Sequence, residues 1–152
     1  MDTVGDPVWR DLDPPRAPTA PERRLLTALA AAVDEPLLLD QVATVFVDAT
    51  CRCGCSSVRL RTGRPAIPPE RIAQLSATDR SDRVAVTATS RGRVDVVLHV
   101  LHGRVCELEV FDTCAGEGRA VPLASLADLT DVSVDWADPD GAADQPPAPA
   151  GG

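Results

Sequence analysis

An α+β fold, with N-terminal helices packed on one face of an antiparallel β-meander of four to six strands, is what this sequence predicts, and three observations predict it. The first is strand-period alternation sustained from Val84 to Val110. Even-numbered positions there (Val84, Val86, Ala88, Val94, Val96, Leu98, Val100, Cys106, Leu108, Val110) are apolar or small, and odd positions carry Arg83, Thr87, Thr89, Arg93, Asp95, His99, Glu107 and Glu109. The second is a glycine near each break in that run, Gly92 and Gly103, where a hairpin needs a left-handed residue. The third is a capping-box signature, Thr19-Ala20-Pro21-Glu22, ahead of a leucine-rich stretch at helical spacing.

In chain order, residues 1–18 hold Pro7, Pro14, Pro15 and Pro18 among polar neighbours and predict a disordered arm with Trp9 as its apolar anchor. The capping box opens a helix over 20–33 whose buried stripe is Leu25, Leu29, Ala32 and Val33. Asp34-Glu35-Pro36 ends it and starts a short second helix over 37–42. Residues 44–49 and 58–61 have strand composition, and Cys51-Arg52-Cys53-Gly54-Cys55 lies between them. A three-residue loop there would set Cys51 opposite Cys55 with Cys53 at the tip. Residues 62–69 are loop, 70–75 a short helix, 123–129 one or two helical turns, and 131–136 an edge strand. Within the meander, three-residue loops at 90–92 and 101–103 keep even positions paired with even ones, whereas a two-residue turn at His102-Gly103 would mix the faces. That register sets Asp95 opposite Glu109. A single domain over 19–136 follows, with a disordered acidic Pro/Ala tail over 137–152.

Charge and composition narrow the function classes. The net charge of −8 resides in the ends, because residues 22–127 hold 13 acids and 13 arginines. Every one of the 15 basic residues is arginine, the mark of a high-GC bacterial coding bias. Without lysine there is neither a Schiff-base nor a Walker lysine, and no Gly-x-Ser-x-Gly elbow is present. With no tyrosine, two phenylalanines and no basic patch, nucleic acid is not an expected partner. Neither a membrane-length apolar run nor a signal-peptide pattern is visible, so the expected location is the cytoplasm with reduced cysteines.

Cys51-Arg52-Cys53-Gly54-Cys55-Ser56-Ser57-Val58, then Val97-Leu98-His99-Val100, Gly103-Arg104 and Leu108-Glu109-Val110, resemble a family of short, uncharacterised bacterial proteins. Those proteins have a helical N-terminus, a Cys-x-Cys-Gly-Cys-x-Ser segment and a Leu-Glu-Val hairpin. The resemblance spans roughly residues 25–115 and implies the fold, with no activity attached. This chain departs from it at His102, where an acidic residue usually precedes the glycine, and in its longer acidic tail.

Two function classes follow. In the first, the protein is a non-enzymatic interaction module, of inhibitor, immunity or accessory type, with no cofactor. It offers a protein partner the sheet face of Asp95, Glu107, Glu109 and His99 together with the acidic tail. In the second it is metal- or thiol-dependent: Cys51, Cys53 and Cys55, with Cys114 or a histidine as fourth ligand, would hold zinc. The same cysteines fit a redox pair or plain packing, and Cys106 falls on the buried face as a small hydrophobe. A cysteine nucleophile with His99 or His102 as base satisfies the residue types alone.

Overall fold

A computed structural model describes residues 9–76, 81–116, 119–126 and 129–134 of the chain. The acidic tail over 137–152 and the first eight residues lie outside the described residues. The fold is α+β. Its strands are β1 (Trp9–Arg16), β2 (Phe46–Cys51), β3 (Val58–Arg61), β4 (Arg83–Ser90), β5 (Val94–Leu101), β6 (Arg104–Asp112) and β7 (Leu129–Val134). The helices are α1 (Ala20–Ala31), α2 (Pro36–Ala43) and α3 (Pro69–Leu75), and a 3-10 turn covers Leu123–Ser125. The seven strands form one sheet in the order β1-β2-β3-β6-β5-β4-β7, and each neighbouring pair is antiparallel. None of the described helices is long and apolar enough to cross a membrane.

Seven strands exceed the four to six expected, because part of the proline-rich arm is a strand. Trp9, Arg10 and Asp11 pair with Cys51, Thr50 and Ala49 of β2. An edge strand has one unpaired side, so Pro14 and Pro15 remove no ladder bond that the sheet requires. The end of β1 is tied to α1 by a two-pronged contact. Arg16 Nη1 donates to Glu22 Oε1 at 2.9 Å and Arg16 Nη2 to Glu22 Oε2 at 3.1 Å. Glu22 is also the return half of the expected capping box: the Thr19 N–H donates to Glu22 Oε1 at 2.9 Å, and the Glu22 N–H donates to Thr19 Oγ1 at 3.2 Å. Burial alone would raise the Glu22 pKa, but the bonds from Arg16 and Thr19 outweigh it and hold the carboxyl below its ordinary value.

Helix α1 ends at Ala31, which leaves Ala32 exposed, and its buried stripe is Leu25, Leu26, Leu29 and Ala30. Ala32 was expected in that stripe; it is instead the exposed C-cap. The stripe joins Leu38 and Val42 of α2, Ile72 of α3 and the inward residues of the sheet, Val47, Leu60, Val86, Val96, Leu98 and Leu108, in one apolar cluster. Each fully buried leucine or isoleucine there contributes about 1.5–3 kcal/mol relative to exposure.

The meander keeps its predicted face but reaches it by different turns. Arg91 and Gly92 both have positive φ (57° and 65°), and the Arg93 N–H donates to the Ser90 carbonyl at 3.0 Å, so Ser90 pairs with Val94 rather than closing the loop itself. At the second hairpin Leu101 pairs with Arg104 across His102 and Gly103, at φ 51° and 83°. This is the two-residue turn that the alternation argued against. The conflict is resolved by a bulge: Val100 pairs with Val105 but His99 with Glu107, which leaves Cys106 as the extra residue. Beyond the bulge Leu98 faces Leu108 and Val96 faces Val110, and the apolar positions are in phase again.

On the core side, Gln41 of α2 is fully buried and fully bonded. Its Nε2 donates to the carbonyls of Pro65 at 2.9 Å and Gly103 at 2.8 Å, and its Oε1 accepts the Val105 N–H at 2.9 Å. The irregular 62–68 segment, the β5–β6 turn and α2 are thereby fastened at one point.

Candidate functional site

The β2–β3 connection is six residues long, Arg52 to Ser57, not three. Cys51 donates its N–H to the Ser57 carbonyl at 3.3 Å, so Ser57 and not Cys55 stands opposite it. The chain then reverses at Gly54, whose φ is 98° and whose N–H donates to the Cys51 carbonyl at 3.3 Å. An L side chain is disfavoured at that φ, which explains a glycine between Cys53 and Cys55. This reversal folds Cys53 back over the end of β2. The Sγ atoms of Cys51 and Cys53 are 3.0 Å apart, the Cys55 N–H donates to Cys53 Sγ at 3.4 Å, and all three sulfurs lie within 4.8 Å of one another.

Two serines hold this loop in place, a role not assigned to them from the sequence. Ser56 Oγ donates to the Val121 carbonyl at 2.9 Å and accepts the Val121 N–H at 2.7 Å. Ser57 Oγ, buried, accepts the Val110 N–H at 2.9 Å and donates to the Val110 carbonyl at 3.4 Å. A short polar side chain directly after a ligand-like loop was the available signal.

Burial, followed by the neighbouring thiol of Cys53, pushes the Cys51 thiol up to about 12. A cation bound among the sulfurs would reverse that shift at Cys51. None of the five cysteines forms a disulfide. Of the four residues expected as zinc ligands, Cys51, Cys53 and Cys55 come together and Cys114 stays apart. It sits exposed in the turn after β6, where the N–H groups of Cys114 and Ala115 donate to Asp112 Oδ1 at 2.9 and 3.0 Å. Cys106, expected in the core, is only part-buried: the bulge gives the inward position to Val105, which is 2 % exposed. Burial, then the adjacent Glu107 charge, raises the Cys106 thiol to about 11.

The other sheet face gathers the remaining predicted residues in a changed register. Asp95 faces Phe111 rather than Glu109, Glu109 faces Val97, and His99 faces Glu107. His99 Nε2 and Glu109 Oε1 are 2.8 Å apart, and one ligand atom from each of His99, Glu107 and Glu109 falls within 4.8 Å of the others. Arg93 pairs with Asp112 at 3.1 Å. Among the described residues no arginine forms an ion pair with Asp95, Glu107 or Glu109. Burial, and then the Glu109 charge, raises the Asp95 pKa. Burial also raises that of Glu107, with the attraction of His99 and Arg83 opposing it. Beside these carboxylates is a depression of about 420 Å³ lined by Thr87, Thr89, Asp95, Val97, Glu109 and Phe111. Among the described residues the Thr89 hydroxyl is buried there without a hydrogen-bond partner.

A raised folded-state pKa means that the native state holds the Glu107 proton to higher pH than the unfolded chain does. Stability is therefore lost as pH rises from the ordinary carboxylate range through the folded value. Glu107→Gln is expected to raise the urea midpoint at pH 7, corresponding to about 0.2–1 kcal/mol of unfolding free energy on the scale of cross-strand charge pairs, and to leave it unchanged at pH 3.5. A lower midpoint at pH 7 would show instead that the carboxylate supports the sheet.

No family model, curated protein or solved structure matches this chain.

Proposed function

We propose that this protein binds a thiophilic metal ion through Cys51, Cys53 and Cys55. The observation that carries the reading is the convergence of three sulfurs within 4.8 Å on one loop anchored by Ser56 and Ser57. Thiolates are soft donors that select zinc, copper(I) and iron–sulfur chemistry over hard oxygen-seeking cations. Metal binding releases the thiol protons, so affinity rises with pH. Titration of the anaerobic, reduced protein with cobalt(II) is expected to give the near-ultraviolet sulfur-to-cobalt band at one metal per chain. Cys53→Ser should abolish that band at the same cobalt concentration, and Cys114→Ser should leave it intact. Failure of the unmodified protein to bind either cobalt(II) or copper(I) through sulfur would overturn the reading.

A second reading, a non-enzymatic interaction module for a protein partner, is favoured by one observation: among the described residues no arginine forms an ion pair with Asp95, Glu107 or Glu109, beside the depression in the sheet. Charges kept on a surface against stability are the usual cost of a binding role. The stabilisation expected for Glu107→Gln is the measurement that supports this reading, and a destabilised variant is the one that removes it.

A further inference from the structure

The cysteine loop supplies three ligands, and the count bears on which metal it takes. Resting on the thiolate site proposed above, we infer that its ion is a soft monovalent one, copper(I), held by Cys51, Cys53 and Cys55 in three-coordinate fashion. Structural zinc requires four protein ligands in a tetrahedron. Among the described residues no fourth cysteine, histidine or carboxylate joins the three sulfurs. Each obvious candidate is committed elsewhere. His99 lies on the sheet face, 2.8 Å from Glu109. His102 lies in the β5–β6 turn at the opposite end of the strands, where its N–H donates to the Asp82 carbonyl at 2.6 Å. Cys114 is held in the turn organised by Asp112.

Copper(I) has a filled d shell and is satisfied by two or three thiolates, so three sulfurs on one short loop complete its shell without a water ligand. The loop's shape fits a transferable ion. Cys53 and Gly54 are exposed at the tip while Cys51 and Cys55 are part-buried, so a metal among the sulfurs is approachable from the Cys53 side. An incoming thiolate carrier could reach it there by ligand exchange, with Cys53 as the first ligand to leave.

The test uses the full chain, reduced and anaerobic, loaded with one equivalent of copper(I) as its acetonitrile complex. Affinity is read by competition with bathocuproine disulfonate, and the metal's neighbours by copper K-edge X-ray absorption. Expected are one copper(I) per chain and three sulfur neighbours with no nitrogen or oxygen. Affinity should fall at least tenfold on each of Cys51→Ser, Cys53→Ser and Cys55→Ser, and stay unchanged on Cys114→Ser. Far-ultraviolet circular dichroism of Cys53→Ser, a substitution at an exposed position, verifies that the fold survives. A fourth ligand at the metal, or full affinity retained by any one of the three variants, would overturn the three-coordinate assignment while leaving a thiolate site in place. Failure to bind copper(I) as well as cobalt(II) would remove the thiolate site itself.

Discussion

Gly103→Ala is expected to lower the stability of the protein by about 2–5 kcal/mol. Two costs add at this position. The backbone has φ 83°, where a β-carbon costs about 1–2 kcal/mol. A β-carbon would also sit 2.9 Å from the Ile67 nitrogen and deep inside contact distance of the Ile67 carbonyl oxygen. Both are backbone atoms, so no side chain can swing aside, and overpacking of this kind costs about 1–3 kcal/mol. The approach is close because the Ile67 N–H donates to the Gly103 carbonyl at 2.9 Å. Urea denaturation of the variant checks the value, with Gly92→Ala as the control. Gly92 shares the positive φ, at 65°, but has open space where the methyl would go, so it should lose only the conformational part.

Gln41→Leu is expected to cost about 2–4 kcal/mol although it replaces a polar side chain in the core with an apolar one of similar size. The substitution strands the Val105 N–H and removes one donor from each of the Pro65 and Gly103 carbonyls. A buried group left unsatisfied costs about 1–3 kcal/mol. The Val105 amide bears most of this, since the Gly103 carbonyl keeps the Ile67 N–H. Because Gln41 and Gly103 meet at the same carbonyl, the double variant should lose less than the two single losses combined. Equal single and double sums in a double-mutant cycle would show that the two positions act independently. The order of loss is also measurable: amide exchange at Ile67 and Val105 should accelerate in Gln41→Leu before that of Leu98 and Leu108, which lie in the centre of the sheet.

How much of this was legible before the fold was known differs from element to element. The inward face of β4, β5 and β6 was written in the alternation, since a side-chain period of two has one apolar solution. Helix α1 was announced by its capping box, a contact between residues three apart. Gly92 and Gly103 were marked as left-handed by their place between strands. The cysteines were visible as a group because their spacing, every second residue about a glycine, is local.

The rest depended on partners distant in sequence. β1 carries no alternation and two prolines, and it became a strand because β2 offered a free edge and Glu22 held Arg16. The Cys106 bulge corrected a turn and a register that were each reasonable alone, and in doing so it moved Asp95 away from Glu109. Ser56 and Ser57 acquired their roles from Val121 and Val110, far along the chain. By itself the sequence determined the apolar face, the first helix and the presence of three close thiols, because each rests on contacts a few residues long. Only the tertiary structure decided strand β1, the facing of the carboxylates and the separation of Cys114 from the other sulfurs, because these rest on long-range pairing that no local period encodes.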